Sequence, residues 1–379
     1  MRQRPASTIS GESLPSAGAV IGTMAFICAI YLLTTSVGLS RTFANYADHA
    51  TRLVCGDFGA FSNYKHEPLF FLIMWVGSEI WNFLFFPGCT PVTSSPNFWL
   101  PVFLAGFFIL QFSYVTRHLR WFAVYYHIAL CLDAGLVSLP FHLLRQFIAV
   151  VIVVMALSML LRKEIGPGKF VAYLIAASLT HFSAWLLVAL ALVALAIQNR
   201  EAVFAACGKA TRTFRGRWLT VVALGVLCLA AAFYYELLAA KIFPRFDFGL
   251  SVMSVGLRLG SGSGIFSLIN IGFVCLLSYG ARSHLKDPFA KQFVSLVAIS
   301  YLMFWLLGAD SLVVQRTYVF VLAIAYFGFL FALRSGVLSV KWQTVNFIFL
   351  AYEFSTFFFN SVFVRAFDAR RSFSTIGLF

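Results

Sequence analysis

The sequence predicts an all-α, polytopic integral membrane protein, and three observations carry that prediction. The chain of 379 residues is 61% hydrophobic and 11% charged, against about 45–50% and about 25% in soluble chains. Its 44 Phe and 8 Trp, at a mean hydropathy of +0.87, supply more apolar surface than one water-facing core can hide, so lipid must solvate most of it. The apolar residues are gathered into runs, and the basic residues lie mostly between the runs, the pattern of a chain that crosses a bilayer repeatedly. A soluble globule is excluded. The balance of 28 Lys and Arg against 14 Asp and Glu gives +14, and with no aromatic-interleaved polar domain this charge points to anionic lipid rather than to nucleic acid.

Taken in order, residues 1–16 form a cytoplasmic tail with Arg2 and Arg4, and the apolar run 17–38 is too long for a signal-peptide core, so it reads as a retained first span. The segment 39–97 is assigned to the outer side. Its apolar piece 68–86 is interrupted by Gly77, Ser78, Glu79 and Asn82, which suits a re-entrant or interface-lying helix better than a crossing. Counting it as a span would also reverse every later loop and put the basic ones outside. Further spans are expected at 98–115, 121–138, 147–161, 168–181, 182–198, 218–235, 264–279, 293–308, 317–333 and 342–360, giving about eleven crossings with the first, in one membrane domain over 17–360.

The stretch from Phe170 to Ile197 is apolar throughout, too long for one upright span and short for two. The basic groups Arg117 with Arg120, Arg162 with Lys163, the loop 199–217, Arg282 to Lys291, and Arg334 with Lys341 all fall on one side only if this stretch crosses twice. Two short helices hinged near Thr180 to Ser183 are therefore expected. The outer side then receives 39–97, Leu139 to Gln146, the loop 236–263 and 309–316, and the tail 361–379 is placed there too, despite Arg365, Arg370 and Arg371.

Ionisable groups in or beside apolar runs are costly and therefore informative. They are Glu67, Glu79, Asp133, Arg145, His181, Glu236, Arg316 and Glu353, with Arg41 just beyond the first span. Arg145 and Arg316 each stand at an outer helix start, where guanidinium forks and unpaired backbone N–H groups together favour an anion such as a diphosphate; snorkelling anchors would occupy the same positions. His181, at the hinge, suits a base, an acid, a phosphate contact, or a histidine tied to a carbonyl freed by the break. Glu67 precedes Pro68 and suits either a base for a hydroxyl or a helix cap. His127 and Asp133 are six apart and not an obvious pair, and Glu353 reads as packed against a polar neighbour.

Seven cysteines show no Cys-x-x-Cys pair and no Cys/His spacing for a metal, so no metal is expected. Cys55 and Cys89, both in the outer segment, are candidates for a pair in an oxidising compartment. The nucleophile-elbow, Walker, dinucleotide and Asp-x-Asp signatures are missing, which disfavours a nucleotide-driven reaction.

Three blocks in order, His66-Glu67-Pro68-Leu69-Phe70-Phe71, Leu144-Arg145-Gln146-Phe147-Ile148-Ala149 and Ala177-Ser178-Leu179-Thr180-His181-Phe182-Ser183-Ala184, resemble the EpsG-like branch of the Wzy-type polysaccharide polymerases. The resemblance covers roughly residues 35–335 and is firm over 60–190; Arg316 to Tyr318 matches a looser late feature, and the family's early Arg-Tyr pattern is represented only by Arg41-Thr42-Phe43 with Asn45-Tyr46. It implies a GT-C-like membrane glycosyltransferase in the bacterial inner membrane that joins polyprenyl-diphosphate-linked oligosaccharides on the outer face, with no cofactor, since the donor carries its own leaving group. Arg145, Arg316, Arg41 and Gln146 would then bind substrate, Glu67 would be the base, and His181 would support the diphosphate or the acceptor sugar. Membrane lipid and a chain-length regulator protein are the further partners it implies. The rival classes are a lipid-linked-oligosaccharide flippase, which would be expected to line its cavity with mid-span cations that this chain lacks, an O-acyltransferase, and a ligase sharing nearly all the polymerase's chemistry.

Overall fold

The computed structural model describes residues 15–25, 41–60, 67–85, 99–132, 143–199, 262–306, 311–336 and 340–359. Among the described residues the chain is helical, with turns and short connections and no strand. After a helical stretch over 17–25 come α1 (Arg41–Val54), α2 (Pro68–Phe85), α3 (Trp99–Thr116), α4 (Phe122–Leu132), α5 (Leu144–Leu161), α6 (Pro167–Thr180), α7 (Trp185–Gln198), α8 (Gly262–His284), α9 (Pro288–Leu306), α10 (Ser311–Ser335) and α11 (Val340–Phe359). The expected span 218–235, the loops 199–217 and 236–263 apart from residues 199, 262 and 263, Asp133, Glu236, Cys89 and the tail 361–379 lie outside the described residues.

Among the described residues, four stretches are long and apolar enough to cross a membrane: Pro68–Phe85, Trp99–Leu119, Leu144–Leu161 and Arg316–Ser335. The protein is a membrane-embedded helical chain. Because α2 itself has the length and composition of a span, the charge of the downstream loops, and not length, is what argues for reading it as re-entrant.

Helix α1 is absent from a reading based on apolar runs because it is amphipathic instead. Tyr46, Ala47, Ala50 and Leu53 are buried while Asn45 and Arg52 are exposed, a stripe at helical spacing. Asp48 and Arg52 pair at 3.0 Å one turn apart on its outer side.

By contacts the chain divides into two compact units. In the first, α1 packs on α3 and α4 on α11. Phe112 gathers the rings of Tyr126, His127 and Phe147 at 5.7, 5.5 and 6.0 Å, and a Cβ at Gly77 would already touch Leu100 and Leu104 at 3.7 and 3.6 Å, so a small residue lets α2 lie close on α3. The α3–α4 turn passes through Arg120 at φ 56, and the Arg117 guanidinium stacks 3.7 Å over Tyr114.

In the second unit α6 packs on α7, α7 on α9, and α8, α9 and α10 on one another. Asp287 accepts the Ala290 N–H at 2.7 Å and so caps α9. A Cβ at Gly328 would already lie 3.6 Å from the Ala281 methyl on α8, so the glycine lets α10 lie close on it. Residues 319–330 of α10 are buried, apart from Gly328 all apolar or aromatic, as befits a helix that is hydrophobic all round.

Candidate functional site

The site begins with a broken helix. His181 adopts φ −147 and ψ 121, extended backbone that ends α6, while its N–H still bonds the Ala177 carbonyl. A 3-10 turn over Phe182–Ala184 follows and leads into α7. At 14 residues each, α6 and α7 are about 21 Å long, short of a bilayer core of about 30 Å. The hinge stands where the sequence places it. Thr180 and Ser178 turn their hydroxyls back to the Ala176 and Ile175 carbonyls at 3.0 and 2.7 Å, which leaves the break itself to His181 and its neighbours.

The break frees the N–H groups that begin the second helix, and a carboxylate meets them. Glu67 Oε1 accepts the Phe182 N–H at 3.2 Å across 115 residues of sequence, and the Glu67 side chain is buried. A negative group at a helix start is favoured by the orphan N–H donors and by the dipole. The sequence reading of Glu67 as a cap for the helix that Pro68 starts is therefore corrected: the N–H it accepts belongs to the turn after His181, remote in sequence. His181 is buried as well, and its Nδ1 lies 2.5 Å from the Ser183 hydroxyl. Ser183 escapes a search for charged groups; the signal that marks it is its position two residues after the histidine.

Glu67, His181, Ser183 and α10 all belong to the second unit, and α10 packs against the 182–184 turn. That helix carries Arg316, half-buried, then buried Thr317, and Tyr318, whose ring lies 5.6 Å from that of Tyr301.

Arg145, Gln146 and Arg41 belong to the first unit. Arg145, in the first turn of α5 and half-buried, donates from Nε to the Tyr46 hydroxyl at 3.3 Å, and Gln146 beside it is buried. Arg41 opens α1, the helix that carries Tyr46 and His49. Burial pushes His49 below its ordinary value of 6.5, with Arg52 and Arg145 acting in the same direction and Asp48 opposing them. Folding therefore disfavours the protonated ring, so its contribution to stability is complete above about 6.5 and is lost as pH falls through the lowered value. Between about pH 7.5 and pH 5, the thermal midpoint of the wild type should fall further than that of His49→Gln; equal falls would dismiss this ring as the source.

The other ionisable candidates are placed differently. Glu79 is exposed on α2 and accepts from Trp75 Nε1 at 3.3 Å. Glu353 is buried on α11, as is Asn346 two turns earlier. His127 Nε2 meets the Thr116 hydroxyl at 2.5 Å in the α3–α4 core. Cys55 is disulfide-bonded, and Cys89, its expected partner, lies outside the described residues. Among those residues no group of three or more His, Cys, Asp or Glu stands together to hold a metal ion.

No family model, curated protein or solved structure matches the chain. A functional reading therefore rests on these residues and their chemistry.

Proposed function

We propose that the protein is a polysaccharide polymerase of the bacterial inner membrane, an eleven-span, GT-C-like glycosyltransferase that joins polyprenyl-diphosphate-linked oligosaccharides on the outer face. The observation that carries this reading is the buried Glu67 carboxylate held at the start of a broken helix pair beside His181. In the reaction an acceptor hydroxyl oxygen bonds to the donor's anomeric carbon, the bond from that carbon to the diphosphate oxygen breaks, and the hydroxyl proton passes to Glu67. Such a step needs a base for the proton and cationic or N–H donors for the charge that develops on the leaving group. Arg316 and His181 are the donors assigned to it in the second unit; in the first unit Arg145, which donates to the Tyr46 hydroxyl, is a separate candidate for binding phosphate. The apolar faces of the helices suit an isoprenoid tail. The disulfide at Cys55 supports an outer position for its segment, since such bonds persist in oxidising compartments.

The test is complementation of a polymerase-deficient strain, reading surface glycan as a ladder with membrane protein level checked. The wild type should restore a ladder and Arg145→Ala should collapse it, since a bidentate guanidinium contact to phosphate is lost with the side chain. An unchanged ladder in the variant would make Arg145 a headgroup anchor. No ladder from the wild type would reject the polymerase reading for that glycan.

A further inference from the structure

We infer that the exposed face of α8 is a binding site for one anionic phospholipid, whose phosphate Arg282 and Lys286 hold and whose acyl chain lies in a notch at Gly272. The inference stands apart from the polymerase reading, because no step of that reaction uses this face.

Helix α8 packs on α9 and α10. Its buried side carries Leu277, Ala281 and Leu285, the last two against Gly328 of α10. The opposite side is one exposed stripe at helical spacing, and its chemistry is ordered along the axis. Leu268, Gly272 and Leu276 come first, then Tyr279, then Arg282 in the last turn and Lys286 two residues beyond it, all exposed. That is the order of a lipid leaflet, from acyl chain through an interfacial ring to headgroup phosphate. The lengths agree as well. Leu268 to Tyr279 is about 16 Å of helix at about 1.5 Å per residue, and half of a bilayer core of about 30 Å is about 15 Å.

Two further observations set this face apart from a helix that merely meets lipid. A glycine inside a helix is destabilising relative to alanine, and at Gly77 and Gly328 a close helix accounts for it. A Cβ at Gly272 would meet no heavy atom within 4 Å, so among the described residues no helix fills the gap between Leu268 and Leu276, and a chain from outside can. The second observation is the charge. Neither Arg282 nor Lys286 forms an ion pair among the described residues. The nearby Asp287 carboxylate is turned to the Ala290 N–H at 2.7 Å, and His284 Nδ1 lies 3.0 Å from the Gly280 carbonyl, back along the helix. A guanidinium fork with an ammonium close by suits a phosphodiester anion. Basic loops gather on the cytoplasmic side, whose leaflet anionic lipids make negative, so the occupant is a phospholipid of that leaflet with phosphatidylglycerol chemistry.

The experiment titrates the full chain, in neutral detergent at low salt, with dioleoylphosphatidylglycerol and counts bound lipid by native mass spectrometry. The wild type should hold one lipid well above the statistical background, and dioleoylphosphatidylcholine should not reproduce it. Arg282→Gln with Lys286→Gln should weaken that first site about thirtyfold, at about fivefold per cation. Lys163→Gln with Lys341→Gln, which removes the same charge from two other loops, should leave it within about twofold. Gly272→Leu should weaken the site about fivefold by filling the notch, while its melting midpoint without lipid is kept or raised, since leucine is the better helix former. Equal weakening by the two double variants, or equal binding of phosphatidylcholine, overturns the inference in favour of a generally basic or generally lipophilic surface. Displacement of the lipid by inorganic phosphate, or unchanged binding in Gly272→Leu, overturns it in favour of a free-anion site. A lower lipid-free midpoint for Gly272→Leu overturns it too, because the notch would then be filled by the protein itself.

Discussion

Glu67→Gln will lower polymer formation by about 10²–10⁴-fold, the usual contribution of a general base, while the protein stays folded and reaches the membrane at normal level. The amide keeps an oxygen that can still accept the Phe182 N–H bonded to Oε1 at 3.2 Å, so the helix start remains satisfied and only the charge and the basicity are removed. Glu67→Ala removes the acceptor too, and should add a stability loss of about 1 kcal/mol, the typical worth of a helix cap. The two variants together separate the roles. If Glu67 only caps the 182–198 helix, Gln will polymerise nearly as well as wild type and Ala will lose activity only in proportion to its lower abundance. If it is the base, both fail equally in rate while differing in thermal midpoint. Glycan ladders normalised to membrane protein, with melting of the purified protein, decide between them.

The break between α6 and α7 was legible because two independent constraints, the apolar length of 170–197 and the sidedness of the basic loops, converge on it, and His181 sits at that point as expected. The helical character of 68–85, 99–116, 144–161 and 311–335 was legible for a simpler reason, since apolar runs of that length leave the backbone no other way to satisfy itself in lipid. Helix α1 was not, because a 14-residue amphipathic helix gives a periodic signal that a search for apolar runs averages away. The same blindness hid the approach of Tyr46 and His49 to Arg145, which α1 brings about. Glu67 was recognisable as a carboxylate next to a helix-starting proline, but its partner, Phe182, was not, since a backbone N–H leaves no mark on residue identity and 115 residues of chain intervene. Ser183 was hidden likewise, because serines abound in apolar helices and only the extended backbone at His181 turns this one onto the ring.

Phe170→Ala should give the opposite pattern from Glu67→Gln: a protein markedly less stable yet nearly as active per folded molecule. Phe170 is fully buried on α6, with its ring edge-on to Phe289 at 5.7 Å and to Phe293 at 5.0 Å on α9, and those two rings stack on each other at 6.4 Å. Truncation leaves a cavity as large as the ring. In a bilayer there is no water to exclude between helices, so the loss is of dispersion contacts and of packing and not of a transfer term, and about 3 kcal/mol is expected, the low end of the range for Phe→Ala in well-packed cores. His181 lies eleven residues further along the chain, about 16 Å along the axis of α6, and its bonds to Ser183 and its neighbour's bond to Glu67 involve nothing that Phe170 touches. Melting in detergent should therefore show a fall of several degrees, with ladder formation per folded protein within about twofold of wild type at a temperature below the new midpoint. A loss of activity as deep as that of Glu67→Gln would mean that the α6–α9 packing and the broken-helix site form one cooperative element, and that Glu67 variants report on that element's integrity instead of on a proton transfer.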